Sequence, residues 1–184
     1  MRAHIGQEHR YAHTLRVARL ADRLAQRHGE DAGRARVAGM LHDLARLYDA
    51  ERLVTECEAR QMPIDTFERH HPIVLHARLG AELARESFGI RDEGVLQAIR
   101  RHTLAAADMS RLDAIVYLAD GLEPGRAFAE REAFESLAFR DLDAAMLAVL
   151  ESSVLYLETR QLEAAPQTLA ALTTYACRRR PLSA

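Results

Sequence analysis

Nine histidines occur in 184 residues, and their positions relative to carboxylates set the first question about this chain. His42 is followed directly by Asp43, after the apolar pair Met40-Leu41. Adjacent residues of a helix point about 100° apart, so one ion meets both side chains only between their directions. His13 falls on the same helical turn as Tyr11, and Asp120 follows the apolar run Val116-Tyr117-Leu118-Ala119. A carboxylate ending such a run is costly if buried alone, which calls for a cationic partner. Neutral imidazoles and carboxylates without thiolates are the donor set for a divalent ion such as iron, manganese, cobalt or zinc. His13, His42, Asp43 and Asp120 together would supply two nitrogens and two carboxylates, leaving positions for water and substrate. Each of them, taken singly, is equally an ordinary core or surface side chain, and Asp120 would equally suit a cap of the following Gly-Pro loop.

The elements that must position these groups are helical. Tyr11, Leu15, Ala18 and Ala21 recur three or four apart, with Val17, Leu20 and Leu24 widening the stripe and Gly29 as a stop. Helices are expected over Ala32 to Arg46, Ala50 to Gln61, Pro72 to about Phe88, and Glu93 to His102 behind an Asp92 cap. Ser110 is placed to cap Arg111 to Ala119, and Gly121, Pro124 and Gly125 mark a loop. Leu142 to Glu158 and Gln167 to Arg178 complete the set, and no stretch alternates for strand length.

Composition sets wider bounds. A chain of 184 residues suggests one domain, able to bury roughly 70% of its unfolded surface without a disulfide or metal. With 48% hydrophobic and 28% charged residues it is a folded protein, and 9 Gly with 5 Pro argue against a turn-rich β-sandwich. A net charge of -2 argues against general nucleic-acid binding. Cys57 and Cys177 make no disulfide framework and no thiolate zinc site. The start of the chain lacks a secretory apolar region. Its longest uncharged stretch, Ala164 to Cys177, is too short to span a membrane, so a soluble cytoplasmic protein is expected. All 25 basic residues are Arg, and Lys and Asn are absent, as codon bias in a GC-rich genome would produce.

Taken in order, His13, His42-Asp43, His76, His102 and Asp120 resemble the HD-domain phosphohydrolases, an all-α metal-dependent superfamily. The likeness is nearer to one branch, the YqeK-like symmetrical bis(5'-nucleosyl)-tetraphosphatases, or diadenosine tetraphosphate hydrolases. Four segments carry it: His9-Arg10-Tyr11-Ala12-His13-Thr14, Leu41-His42-Asp43-Leu44-Ala45, Ile99-Arg100-Arg101-His102-Thr103, and Tyr117 through Arg126 with its Asp120-Gly121-Leu122-Glu123-Pro124-Gly125-Arg126 loop. The similarity extends over nearly the whole chain. It departs from the branch at Arg46, where Lys is usual, and at Ala77-Arg78, where Gly-Pro is usual. Leu104-Ala105 stand in place of Thr and Gly, and Ala165-Pro166-Gln167-Thr168 in place of a His-Pro-Asp-Thr-like element.

The resemblance implies an all-α, single HD-domain helical bundle over residues 1–184, with a metal-binding core at about 9–126 and C-terminal helices at about 130–178. It implies a hydrolase that cuts the central phosphoanhydride of dinucleoside tetraphosphates, giving two ADP from diadenosine tetraphosphate. Iron is the expected ion. Held by His13, His42, Asp43 and Asp120, it would activate water and polarise a phosphoryl oxygen, with Asp43 also able to accept a proton. Arg46 is expected to act in catalysis and Arg10 and Arg126 to bind substrate, since guanidinium forks pair with phosphate oxygens; Thr168 is expected to bind substrate as well. His76 and His102 are expected to touch substrate phosphate beside a single ion, the alternative being a second ion bridged by Asp43. His4, His9, His28, His70 and His71 receive no role, His70-His71 reading as a loop, and Arg178-Arg179-Arg180 reads as a solvated tail. Two other functions fit the same residues: a 5'-nucleotidase-like HD phosphohydrolase, and a catalytically silent nucleotide-binding module. A homodimer is compatible with all three.

Overall fold

Six helix starts are written as caps in the sequence. Asp31, Asp49, Asp65, Asp92, Ser110 and Asp141 each accept a hydrogen bond from the backbone N–H three residues on, satisfying a donor that the first turn leaves free. The computed structural model describes residues 8–179. Its helices are α1 (Glu8–His28), α2 (Ala32–Leu41), α3 (Ala50–Ala59), α4 (Thr66–His70), α5 (Leu75–Phe88), α6 (Glu93–Arg101), α7 (Arg111–Leu122), α8 (Arg131–Arg140), α9 (Leu142–Thr159) and α10 (Pro166–Arg179). A short 3-10 turn at Pro72–Val74 leads into α5. No strand occurs among the described residues, in agreement with the all-α expectation.

Helix α7 is buried over nearly its whole circumference, from Leu112 through Ala119 and again at Leu122, so it forms the axis of the bundle. Around it pack α1, α2, α6, α8 and α9. One core runs from Val17 and Leu24 of α1 through Ile115 and Leu118 of α7 to Met146 and Leu150 of α9 and Tyr175 of α10. A smaller cluster of Ala45, Leu53, Cys57, Leu75 and Leu79 ties α3 and α5 beside it. Cys57 and Cys177 are both free. No described helix is long and apolar enough to cross a membrane.

Several boundaries differ from expectation, each for a local reason. Helix α2 stops at Leu41 rather than Arg46, and residues 42–47 continue as turns with N–H to carbonyl bonds three residues back, as from Arg46 to Asp43. This tightening occurs where α5 crosses closely: a Cβ at Gly80 would stand 3.2 Å from the His42 carbonyl oxygen. Helix α7 runs past Ala119 to Leu122, so Gly121 belongs to its last turn rather than to a loop. Helix α4 was not expected, and it makes His70 a helix end. Five residues are too few to show a period, although Asp65 and Glu68 form a capping box. Helix α8 was not expected either, because only Ala138 of its ten residues is buried. Arg178 pairs with Asp143 at 3.5 Å and stacks on Tyr175, so it is not part of a free tail. His4 and Arg180 lie outside the described residues.

Candidate metal and phosphate site

Four histidines from four elements converge on one point. His13 comes from the buried face of α1, His42 from the turn after α2, His76 from the first turn of α5, and His102 from the C-terminal end of α6. Their rings form a chain, with centroids 5.3 Å apart from His13 to His42, 4.8 Å from His42 to His102, and 5.1 Å from His102 to His76. The Nδ1 atoms of His42, His76 and His102 donate to the carbonyls of Gly39, Ile73 and Ile99, three residues upstream in each case. That of His13 donates to Glu123 at 3.1 Å. In the neutral ring, with its one proton held on Nδ1, each Nε2 is left with a lone pair that faces the centre.

The carboxylates complete the arrangement. Asp120 Oδ1 lies 3.2 Å from His13 Nε2 and 3.8 Å from His42 Nε2. Asp43 divides its oxygens: Oδ2 is 3.8 Å from His13 Nε2 and 3.6 Å from His42 Nε2, while Oδ1 is 3.4 Å from His76 Nε2 and 3.8 Å from His102 Nε2. The Nε2 atoms of His13 and His42 are buried with no hydrogen-bond partner. Unpartnered acceptors of this kind, grouped with carboxylates, fit a divalent cation and fit little else at that depth. Three overlapping triplets, His13-His42-Asp43, His42-His102-Asp120 and Asp43-His76-His102, each bring their ligand atoms within 4.8 Å of one another.

Charge follows from the same contacts. Burial works to raise the Asp43 and Asp120 carboxyls, but the surrounding imidazoles outweigh it and hold both well below the usual range. Burial, with His42 and His76 as neighbours, pushes the His102 imidazole down to about 3, so it is neutral at any physiological pH. Burial keeps the Tyr117 phenol protonated, its pKa pushed up to about 12.

Above this cluster opens a cavity of about 300 Å³, bordered by Arg10, Arg46 and Arg126 as well as Asp43, His76, His102 and Asp120. Arg10 reaches Asp43 at 3.3 Å. Arg126 clamps Asp120, donating to its carboxylate at 2.6 Å and its carbonyl at 3.0 Å, which supplies the cationic partner expected there. Arg46 pairs with no carboxylate among the described residues. Thr168 does not join this cavity, contrary to expectation. Its hydroxyl donates to the Leu104 carbonyl at 2.9 Å, so it tethers the loop behind His102 and Thr103 instead. In that loop Ala105 has φ 58, the left-handed conformation that favours the Gly usual at this point.

Sequence reasoning missed Glu123 and Arg16. The Glu123 side chain is 2% exposed; it accepts from His13, from Arg16 and from the Gly125 N–H at 2.6 Å, and these bonds bring it down to about 2 against the opposing effect of burial. It orients His13 as carboxylates behind metal-binding imidazoles do. The one available signal was its place in the motif loop, three residues after Asp120.

This chain belongs to the HD domain family, which matches residues 10–125. It is similar to the symmetrical bis(5'-nucleosyl)-tetraphosphatase of Bacillus subtilis, 34% identical over 88% of this chain and 86% of that one. The protein of the same name from Halalkalibacterium halodurans is 37% identical over 89% and 87% of the two chains. A crystal structure from Clostridium acetobutylicum, described as a predicted HD superfamily hydrolase involved in NAD metabolism, superposes with a TM-score of 0.93. It shares 31% identity and covers 97% of this chain and 94% of its own.

Proposed function

We propose that the protein is a metal-dependent hydrolase of dinucleoside tetraphosphates that cuts diadenosine tetraphosphate symmetrically to two ADP. The observation that carries this reading is a cluster of four imidazoles and two carboxylates beneath a cavity that three guanidinium groups border. The names of relatives 34% and 37% identical over most of the chain support the choice of substrate. His13, His42, Asp43 and Asp120 hold the ion, for which we propose iron, the same donors also suiting manganese, cobalt or zinc. A divalent ion bound there supplies Lewis acidity, activating water and withdrawing charge from a phosphoryl oxygen. Arg46, which pairs with no carboxylate among the described residues, takes a substrate phosphate. Arg126 bonds Asp120 through Nε and one terminal nitrogen, which leaves its other terminal nitrogen for phosphate. Arg10 holds Asp43 and faces the same cavity. The cytoplasm is the proposed compartment, in keeping with two unpaired cysteines.

One observation favours a second ion at His76 and His102 over direct phosphate contacts there. Their Nε2 atoms face each other at 3.2 Å, and the Thr103 hydroxyl, 3.2 and 3.1 Å away, can donate to only one of them. A phosphate oxygen needs donors, whereas these rings have already committed their protons to the Ile73 and Ile99 carbonyls. A cation next to Asp43 Oδ1 resolves the conflict. Elemental analysis tests it: His102→Ala should lose about one ion per chain, and an unchanged content would return both residues to phosphate binding. Product chromatography tests the reaction. ADP is expected as the sole nucleotide product from diadenosine tetraphosphate, AMP with ATP would overturn symmetric cleavage, and phosphate release from AMP alone would favour a nucleotidase.

A further inference from the structure

The metal and phosphate cavity continues into a second, more apolar groove, and we propose that this groove binds a nucleoside of the substrate, its base stacked on Phe128 and Tyr156. The proposal rests on the phosphohydrolase reading above. The groove, of about 680 Å³, is formed by the loop after α7 together with α8 and α9, and its size lies in the range of small-ligand sites. It shares Gly121, Arg126, Val149 and Ser153 with the cavity over the imidazoles. A ligand whose phosphates reach that cluster is therefore led past Arg126 into the groove.

The lining matches a nucleoside. Phe128 is 40% and Tyr156 56% exposed, and no other phenylalanine or tyrosine among the described residues is exposed. Leaving two large rings in water forgoes burial that every other phenylalanine and tyrosine among the described residues obtains at least in part. Phe134 stands behind Phe128, their centroids 6.2 Å apart, and backs that ring. Both exposed rings border the same groove, where a base would cover them, since aromatic faces stack on any base without reading its edges. Glu130, an acceptor only, suits ribose hydroxyls and repels phosphate, whereas Arg126 attracts phosphate. The groove thus distinguishes the two ends of a nucleotide and would make the protein prefer nucleoside phosphates to inorganic ones.

Calorimetric titration of the metal-loaded protein with ADP and with inorganic pyrophosphate tests this. The wild type is expected to bind ADP about tenfold or more tightly than pyrophosphate, given the usual strength of base stacking. Tyr156→Ala and Phe128→Ala should each remove most of that preference while leaving pyrophosphate affinity and metal content unchanged. If ADP affinity survives both substitutions, or if the wild type does not distinguish the two ligands, the groove is not the nucleoside site. If neither ligand binds, the phosphohydrolase reading beneath it fails as well.

Discussion

At His13 two carboxylates meet one ring, Glu123 at 3.1 Å from Nδ1 and Asp120 at 3.2 Å from Nε2. Burial lowers the pKa of this imidazole, but the two carboxylates outweigh burial and raise it above 6.5. The metal-free folded protein therefore holds this proton more tightly than the unfolded chain does. The stability it contributes is fully present below pH 6.5 and is lost as pH rises through the raised value. A divalent ion held by His13, as proposed, would have to displace the same proton. Loading the metal-free protein near pH 7 should thus release protons, seen as a calorimetric enthalpy that changes with the ionisation enthalpy of the buffer; a buffer-independent enthalpy would mean a neutral His13. Glu123→Gln keeps the shape but removes the charge behind the ring. Chelator competition should then show metal affinity lower by about 10–100-fold, with the helical circular dichroism unchanged.

The contact between α1 and α2 brings His13 and His42 to the same centre. It depends on Gly39, where a Cβ would stand 2.9 Å from the Ala18 Cα, a backbone atom that cannot turn aside. The Gly39 carbonyl also receives the His42 Nδ1 proton at 2.8 Å, so packing and ring orientation share one residue. Gly39→Ala gains about 1 kcal/mol in helix propensity but must push the helices apart, at a cost of about 1–3 kcal/mol. The net expectation is a Tm lowered by a few degrees and a weaker metal site, read from thermal melts with and without zinc. An unchanged Tm in both would show that the two helices have room to spare.

Across the whole molecule the C-terminal helices are part of the core rather than an appendage. Met146 and Leu150 of α9 are fully buried in the cluster that contains Ile115 and Leu118, and Val149 and Ser153 border the cavity over the imidazoles. A chain ending at Arg140 would expose the α7 face they cover. Such a fragment should show no cooperative thermal transition and no metal-dependent rise in Tm. A sharp transition in it would mean that the first eight helices fold alone.

The all-α class, most helix starts and the ordered series His13, His42-Asp43, His76, His102 and Asp120 were legible in the sequence because they depend on local chemistry. A cap bonds three residues along, an apolar stripe repeats every three or four, and a ligand type is a property of one side chain. Helices α4 and α8 were not legible, one too short and the other too little buried to show a stripe. Nor was the end of α2 at Leu41, which depends on the crossing of α5 at Gly80. Glu123 behind His13, and the division of the two Asp43 oxygens between imidazole pairs, join residues up to 110 positions apart. Thr168 shows the reverse case: its motif suggested a substrate contact, and packing turned its hydroxyl to Leu104. Residue types named the chemistry this chain can perform. Which groups share an ion, which orient a ring and which face water was decided only by tertiary structure, because hydrogen bonds and lone pairs act over about 3 Å whatever the separation along the chain.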